Sequence, residues 1–426
     1  MSAGRDADAP RVVMCVDMDA FYASVELRRH PEWRDVPMWV GGARRGVVLS
    51  ANYPARAYGV RGGMSSTQAR RLCPHAVCAP PDFDAYSEVS AGIVAILETF
   101  TARVESASID EAYLDLTGAE RTVGPPTLVG ERLRAIIHDE QGIACSVGIG
   151  PNRLVAKMAT NSAKPDGLLE VLPAEVVGFL HPQPVEHLVG VGDSTAAKLR
   201  PLGVRTVADL AALPRGALQR QFGLRAGALL HDLAWGRDSS RVVAKPGERG
   251  VGCQETFGHD LADDAGVLAE LLRVVVKVAS RMRAAGVLGR TVTLTLRYAD
   301  FVTASRALTL PAPTDVTDEI YAAARRLYAQ LRTPRTEVRR VGVRVTGLAD
   351  RAVVCLQPTL DAPDHGWRDA ERAADSVIRR FGPKAVRRAV LTGPGRVSQP
   401  RSSREDVPGA SDRKAEDESI VGLSPR

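Results

Sequence analysis

The stretch Arg11-Val-Val-Met-Cys-Val-Asp17-Met-Asp-Ala-Phe-Tyr22 decides the fold of this chain. Its apolar run, residues 12–16, predicts a buried strand that ends on the carboxylate of Asp17. A helical stretch from Ala20 through Arg29 follows at once. Because a buried strand holds an acid at its end in a fixed position, Asp17 is the first candidate catalytic residue.

Two further acids, Asp110 and Glu111, are adjacent within the apolar stretch 107–115. Neighbouring side chains on a regular strand point to opposite faces, so these two can share one site only where the strand turns or ends. With Asp17 they supply the carboxylate oxygens that Mg²⁺ prefers. Two such ions about 3.5 to 4 Å apart can activate a 3′-hydroxyl and stabilise a leaving pyrophosphate. The three acids therefore predict nucleotidyl transfer from a triphosphate with two Mg²⁺ ions. Structural roles are expected for two nearby acids, Asp19 and Asp115.

The composition is that of an ordinary soluble protein of several domains. The chain has 426 residues, of which 45% are hydrophobic and 25% charged, which argues against a disordered or fibrous protein. Its six cysteines are dispersed, without a CxxC pair that would fit a zinc site. The first ten residues lack an apolar signal core, and no apolar run approaches about 20 residues. We therefore expect a cytoplasmic monomer without a membrane span.

The pattern of helices and strands predicts an α+β multidomain chain. Glycines and prolines break up residues 31–80, which predicts a small, loop-rich subdomain. The segment that follows predicts strands covered by helices, with helices at 86–101 and 127–140, a strand pair at 104–116 and a strand at 144–149. Residues 171–236 predict a helical unit, and the polar stretch 237–248 predicts a linker.

The rest of the chain predicts a further domain and a tail. Helices are predicted at 265–285 and 315–331, and strands at 291–298 and 338–346. Residues 367–391 predict an amphipathic helix and a short basic strand. The Ser/Arg/Glu-rich residues past Thr392 cannot bury enough apolar surface to remain ordered, which predicts a disordered tail.

Alternation along two of these strands predicts a polar face. Thr291, Thr293, Thr295 and Arg297 alternate with apolar residues, as do Arg340, Arg344 and Thr346 on the other strand. An open sheet face of arginines and threonines fits a nucleic-acid backbone. The alternative is a plain solvated face.

Four motifs resemble, in order and spacing, the signatures of Y-family DNA polymerases of the bacterial DinB or DNA polymerase IV branch. They are Asp17-Met-Asp-Ala-Phe-Tyr22-Ala-Ser-Val-Glu, Asn52-Tyr-Pro-Ala-Arg56, Ser108-Ile-Asp-Glu-Ala-Tyr113-Leu-Asp and Lys157-Met-Ala-Thr-Asn-Ser-Ala-Lys-Pro-Asp-Gly167. The resemblance covers residues 11 to about 350.

The resemblance implies an open right hand with palm, small fingers, helical thumb and α/β little finger. In that family the three acids above are the metal ligands, and the backbone carbonyl of Met18 adds an oxygen. The expected divisions are a flexible N-terminus (1–10), palm (11–25 and 82–170), fingers (26–81), thumb (171–236), linker (237–245), little finger (246–348), C-terminal extension (349–391) and disordered tail (392–426).

The resemblance also implies the nucleotide contacts. Tyr53, Arg56 and Lys164 would grip the β- and γ-phosphates, and the ring of Tyr22 would be the steric gate beneath the sugar. The residues themselves support part of this, because Pro54 favours the first turn of a helix, and a helix start with an arginine nearby attracts phosphate.

Candidate DNA contacts come from the thumb and the little finger. Val189-Gly-Val-Gly-Asp-Ser-Thr resembles a helix-hairpin-helix, whose glycine-rich turn presents backbone N–H groups to a DNA phosphate. A tight helical turn without DNA contact is the alternative. The candidate DNA-binding residues are Gly190, Gly192, Arg339, Arg340 and Arg344.

A peptide that binds the sliding clamp is the last candidate site. The family often carries such a peptide near this point, as a glutamine followed by a terminal apolar pair. Here Gln357-Pro-Thr-Leu360 runs into Asp361, which departs from that pattern. Gln357 and Leu360 are therefore candidate clamp contacts, with the clamp as a possible partner.

The prediction is a low-fidelity, lesion-bypassing DNA polymerase without proofreading, whose partners are primer-template DNA and dNTPs. Another palm-type nucleotidyl enzyme, such as a nucleotide cyclase, has no use for a helix-hairpin-helix followed by an arginine-rich sheet. A catalytically inactive, DNA-binding relative is the alternative from another class, and retention of all three acids argues against it.

Overall fold

The computed structural model describes residues 11–42, 45–244, 249–332, 336–354, 366–382 and 385–391. Up to residue 81 the elements are β1 (Val13–Met18), α1 (Phe21–Arg29), β2 (Met38–Gly41), β3 (Val48–Ala51), α2 (Tyr53–Ala57), α3 (Ser66–Leu72) and β4 (Val77–Ala79). The next segment contains α4 (Phe83–Glu98), β5 (Val104–Ser106), β6 (Glu111–Asp115), α5 (Glu120–Val123), α6 (Pro126–Gln141), β7 (Cys145–Gly150), α7 (Arg153–Ala163) and β8 (Leu168–Glu170).

The first sheet has the strand order β5-β6-β1-β7-β8, with the predicted strand β1 at its centre. β1 is buried along its whole length because helices cover both faces of the sheet. Met14 and Val16 pack on the side of α4 and α6. Val13 and Cys15 face the opposite side, where they meet α7. By strand alternation, Asp17 also lies on the α7 side.

A smaller sheet, β3-β2-β4, forms in the loop-rich segment. Asn52 joins this sheet to α2, because its side-chain oxygen accepts from the backbone N–H groups of Met38 and Ala55, each at 3.0 Å. Its amide group donates to the carbonyl of Val36 at 2.8 Å. One buried polar side chain therefore fixes where α2 begins.

Five helices follow, as the glycine-punctuated sequence predicts: α8 (Val176–Leu180), α9 (Asp193–Leu199), α10 (Val207–Ala212), α11 (Arg215–Phe222) and α12 (Leu224–Ala234). Their core includes Leu180, Leu188 and Leu210, and it continues into Val155 and Met158 of α7. The helix α7 therefore packs against both the first sheet and this helical unit.

The third sheet has the order β11-β10-β12-β9. Its elements are β9 (Gly250–Leu261), α13 (Asp264–Ala284), β10 (Val287–Tyr298), β11 (Thr303–Thr314), α14 (Thr317–Leu331) and β12 (Val338–Thr346), and β13 (Ala349–Asp350) pairs with β10. The helices α13 and α14 cover one face, on which Val292, Leu294 and Leu296 are fully buried. At 21 residues α13 is long, yet none of the described helices is long and apolar enough to cross a membrane.

Residues 237–244, within the predicted linker, lie against the first sheet. The backbone N–H of Val243 donates to Glu105 Oε2 at 2.8 Å, and Arg153 donates to the same oxygen at 2.8 Å. Val242 packs against the buried cluster formed by Val13, Cys15, Tyr113 and Ala156. This part of the linker therefore has a fixed path across the sheet.

The predicted amphipathic helix at the C-terminal end is confirmed as α15 (Trp367–Phe381). It is bound through charges, since the buried Arg283 of α13 contacts Glu371 at 2.6 Å and Asp375 at 2.5 Å. The predicted basic strand is wrong for residues 385–391, where Ala389–Leu391 forms a 3₁₀ turn. There Arg388 contacts Asp318 and Glu371, so ion pairs hold this segment instead of ladder hydrogen bonds.

Candidate active site

The acids of the first and third motifs meet across two neighbouring strands. In the antiparallel register of β1 and β6, Asp17 lies directly opposite Glu111. Both side chains point to the α7 side of the sheet, because Cys15 and Tyr113, one pair further along, do so as well. The side chain of Asp17 is 11% exposed and that of Glu111 19%. Two carboxylates thus share one largely buried position.

Helix α7 reaches this position because it packs unusually close to the sheet. A Cβ atom on Gly148 of β7 would lie 2.1 Å from the backbone oxygen of Ala156 and 2.2 Å from the backbone nitrogen of Thr160. Only glycine fits there, so the helix axis comes nearer than a side chain would permit. The hydroxyl of Thr160 also donates to the carbonyl of Cys15 at 3.1 Å. These contacts place the α7 lysines beside the acids.

Lys157 bridges the two acids. Its Nζ atom lies 2.5 Å from Asp17 Oδ2 and 2.7 Å from Glu111 Oε2. Burial alone would lower the pKa of Lys157, but the carboxylate of Asp17 and the hydrogen bonds outweigh it, and the pKa is raised. Lys164, just past the end of α7, contacts the other oxygen of Asp17. Two ammonium groups therefore balance the negative charge of the site.

Asp110 stands apart from this ion-pair cluster. Asp110 precedes the first residue of β6, so the strand begins between it and Glu111. The backbone oxygen of Asp110 accepts from the N–H of Met18 at 2.9 Å. Its carboxylate accepts from the hydroxyl of Ser108 at 2.5 Å. Within the part of the chain that the structure describes, no three potential metal-ligand side chains gather round one point. The acids form a close pair with a third beside it.

Tyr22 lies in the first turn of α1, next to the third acid. Ala20, which precedes the helix, has φ 48°, a left-handed conformation that turns the chain sharply from β1 into α1. The ring of Tyr22 packs against Phe83 and Tyr86, with centroids 6.2 and 4.9 Å away. Burial and the charge of Asp110 raise the pKa of Tyr22. The predicted gate residue thus has its ring fixed by other aromatic rings.

Tyr53 and Arg56 form a stacked pair on α2. The guanidinium of Arg56 lies 4.8 Å from the ring centre of Tyr53, and its Nε donates to the carbonyl of Ala51 at 2.9 Å. Pro54 occupies the first turn, as predicted. The helix has only five residues, however, and Asn52 already caps its Ala55 N–H. One N–H of the helix start is thus already bonded, and the expected phosphate contact at this end of α2 stays a prediction.

The predicted polar face of the third sheet is present. Residues Val341, Val343 and Val345 are buried, whereas Arg340 and Arg344 alternate to the other side. Arg340 lies opposite Arg297 in the register of β12 and β10, so both belong to the open face. The threonines pair across the strands by side-chain hydrogen bonds, as Thr291 does with Thr309 at 3.0 Å.

The remaining candidate DNA-binding and clamp-binding residues lie in three separate parts of the chain. Arg339 lies at a strand irregularity, 4.7 Å from the ring centre of Phe301 and 3.8 Å from Asp260. Arg297 of the open face lies 5.0 Å from the same ring. In the helical unit, Gly190 has φ 96°, which favours glycine, and Gly192 precedes α9. The predicted clamp contacts lie outside the described residues: Gln357 and Leu360.

Lys157 is the functional candidate that the sequence argument left without a role. The residue begins the fourth motif, but its neighbours in sequence give no sign of a charge partner. Its partners lie 140 and 46 residues away along the chain. Only the packing of α7 on the sheet brings them together.

Three family models match the chain. Residues 16–161 match the impB/mucB/samB family, residues 186–238 match the thumb domain of DNA polymerase-iota, and residues 248–358 match the C-terminal domain of the impB/mucB/samB family. The matched segments contain all three candidate metal-binding acids and the arginine face of the third sheet.

Two bacterial relatives named DNA polymerase IV match over most of their length. DNA polymerase IV of Moorella thermoacetica is 39% identical over 90% of this chain and 97% of its own, and that of Halorhodospira halophila is 40% identical over 79% and 95%. Among solved structures, the Y-family DNA polymerase chimera Dbh-Dpo4(243-245)-Dbh has a TM-score of 0.72 at 27% identity, over 79% of this chain and 99% of its own. DinB from Sulfolobus solfataricus has a TM-score of 0.56 at the same identity, over 79% and 98%. This chain therefore belongs to the Y family of DNA polymerases, in the DNA polymerase IV branch, and is a DNA-directed DNA polymerase of the translesion type.

Proposed function

We propose that this polymerase extends a primer by two-metal nucleotidyl transfer, with Asp17, Asp110 and Glu111 as the metal-binding acids and without proofreading. The catalytically inactive alternative is disfavoured, because the relatives are polymerases and the acids of the motifs are retained.

One observation carries the proposal: the facing carboxylates of Asp17 and Glu111 already hold a cation between them, the ammonium group of Lys157. A position that binds one buried cation is also suited to a metal ion. The donors are hard carboxylate oxygens, which match Mg²⁺ rather than a softer metal. Asp110, one residue before Glu111, and the backbone carbonyl of Met18 would complete the oxygen set.

Bound Mg²⁺ would activate the primer 3′-hydroxyl and offset the charge of the leaving pyrophosphate. The protein's own task is to position the reactants. Lys164 lies at the acid cluster, where it would contact the phosphates of the incoming dNTP. Tyr53 and Arg56, stacked on α2, would contact the same phosphates through side chains. Tyr22 would lie beneath the sugar and exclude a 2′-hydroxyl.

Primer-template DNA would lie along the open face of the third sheet, where Arg340 and Arg344 would contact phosphates and the threonines would hydrogen-bond to the backbone. The glycine turn at Gly190 and Gly192 would present backbone N–H groups to another phosphate. The proposed divisions are palm (11–25 and 82–170), fingers (26–81), thumb (171–236), linker (237–245) and little finger (246–348). Residues 357–360 would bind the sliding clamp as an extended peptide.

Primer extension by charge-neutral variants tests the proposal. Asp17→Asn, Asp110→Asn and Glu111→Gln should each abolish extension in Mg²⁺, while binding of primer-template DNA persists. Asp115→Asn, at the other end of β6, is the matched control and should keep extension. Extension by Asp110→Asn at the rate of the unmodified protein would refute the metal assignment. Release of mononucleotides from a mismatched primer end would refute the lack of proofreading.

A further inference from the structure

The residue proposed to bind the triphosphate, Lys164, lies at a sharp turn. It follows the last residue of α7, and the chain reaches β8 only four residues later. Asp166 adopts a left-handed φ of 47°, and a Cβ atom on Gly167 would lie 2.1 Å from the backbone oxygen of Ala163. The turn is therefore tight, and the position of Lys164 depends on what holds Asp166.

A side chain from another helix holds Asp166 on one side. Arg134 of α6 donates through Nη2 to the backbone oxygen of Asp166 and, at 2.6 Å, to its carboxylate. Its Nε donates to the carbonyl of Cys145 at 3.2 Å, which anchors the guanidinium to β7. The planar fork of an arginine can make all these contacts at once, whereas a lysine offers one point charge.

The other side of the turn is held by Asp19. Its Oδ2 accepts from the backbone N–H of Asp166 at 2.7 Å, and the hydroxyl of Ser146 lies 3.1 Å from both carboxylate oxygens. Asp19 is 4% exposed, so water competes little for these bonds. Asp166 is therefore held from two parts of the fold, its C=O and carboxylate by Arg134 and its N–H by Asp19.

We propose that Arg134 is a positioning residue for nucleotide binding, which acts through Asp166 to hold Lys164 at the acid cluster. The inference rests on the proposed function, because it takes Lys164 as a phosphate contact. Arg134 bonds to the far side of the turn and does not contact the acids that Lys164 reaches. Loss of its fork would release the C=O and the carboxylate of Asp166, which leaves Asp19 as the remaining support and lets the ammonium group of Lys164 move.

The test compares Arg134→Ala, Arg134→Lys, Lys164→Ala and the double variant in the full chain. We measure KM and kcat for a dNTP, together with the Kd of the dNTP for the complex with a primer that ends in a dideoxynucleotide. Arg134→Ala should lower kcat/KM by roughly 10- to 100-fold, the range that misplacement of a positioned group by about 1 Å costs. The loss should fall on KM and Kd, and Arg134→Lys should recover little of it.

The matched control is Arg132→Ala, on the same helix, since that arginine extends toward Phe100 instead of the turn. If Arg134 acts through Lys164, Arg134→Ala adds nothing to Lys164→Ala. A KM unchanged in Arg134→Ala, or an effect that adds fully to that of Lys164→Ala, overturns the inference while the proposed function stands. A KM and Kd unchanged in Lys164→Ala show that the phosphate assignment fails, and the inference fails with it.

A second variant covers the case in which Arg134→Ala does not fold. Asp166→Asn keeps the backbone bonds and weakens the charge-assisted contact to Arg134, so a smaller rise in KM is expected. A purely structural role would reduce the fraction of active enzyme, and hence kcat, with KM unchanged. That pattern in Asp166→Asn would also overturn the inference.

Discussion

Replacement of Lys157 by methionine removes the cation between the two facing acids. Removal of one partner of a buried ion pair costs about 3 to 5 kcal/mol, because the remaining charge keeps its desolvation penalty. The three side chains are 11% to 19% exposed, and Lys164 still contacts Asp17, so the lower end applies. We expect local stability to fall by about 3 kcal/mol in the absence of divalent cations.

Magnesium should then restore the local stability that Lys157→Met removes. A ligand at about a hundred times its Kd stabilises the protein to which it binds by about 2.7 kcal/mol. In the unmodified protein Mg²⁺ would have to displace the ammonium group of Lys157 from Asp17 and Glu111. In Lys157→Met that group is gone and only the contact of Lys164 with Asp17 remains. The gain from saturating Mg²⁺ should therefore be larger in the variant.

Hydrogen exchange of peptides that cover β1 and β6 measures this stability locally, in EDTA and in saturating MgCl₂. Lys277→Met is the matched control, because Lys277 also pairs with a carboxylate, that of Glu255, but is 53% exposed. An exposed pair contributes about 0 to 1 kcal/mol, so the control should change little. Equal Mg²⁺ protection in Lys157→Met and the unmodified protein would refute the reasoning that a metal ion and Lys157 compete for one position.

Three further results are expected. Tyr22→Ala should raise the ratio of kcat/KM for a ribonucleotide to that for the matched dNTP by roughly 10- to 100-fold. Tyr22→Phe keeps the ring and should leave this ratio unchanged. An unaltered ratio in the alanine variant would mean that Tyr22 is not the gate. Loss of both Arg340 and Arg344 should weaken DNA binding for all sequences alike. The salt dependence of the DNA affinity should become less steep by about one unit of slope per lost phosphate contact. An unchanged slope would mean that these arginines do not contact the DNA. Gly148→Ala puts a methyl group 2.1 Å from a backbone oxygen of α7, so thermal unfolding should occur at lower temperature, with a loss of about 1 to 3 kcal/mol or more. Gly178→Ala, within α8 and with open space around it, should not lower the unfolding temperature.

Central elements of the fold could be predicted from the sequence, because burial on both faces gives a strand its own signature. The apolar run before Asp17 identified β1, and the helix predicted at 265–285 is observed as Asp264–Ala284. The edge strands β9 and β11 were missed. β9 is polar and rich in glycine, and β11 contains Pro311 and Pro313, so each depends on its pairing partner rather than on its own residues.

The acids of the site could be predicted for a similar reason, since each adjoins an apolar strand. The basic residues that hold these acids and the nearby turn in place could not be predicted. Lys157 and Arg134 are ordinary basic residues of amphipathic helices in sequence, and basic residues on such helices usually face solvent. Their roles depend on contacts between elements that are distant in sequence, such as the 32 residues between Arg134 and Asp166.

Helix α7 explains why the fourth motif extends over so many residues. Its Ala156 and Thr160 lie against Gly148 of the sheet, whereas Val155 and Met158 belong to the core of the helical unit. The helix is thus fixed on two sides by small and apolar residues. Because it carries a lysine to the acid pair within its length and another just past its end, both charges are set by the same packing. A change in the core of the thumb that shifts α7 would therefore move the positive charge of the active site, although no thumb residue contacts the two facing acids in the part of the chain described.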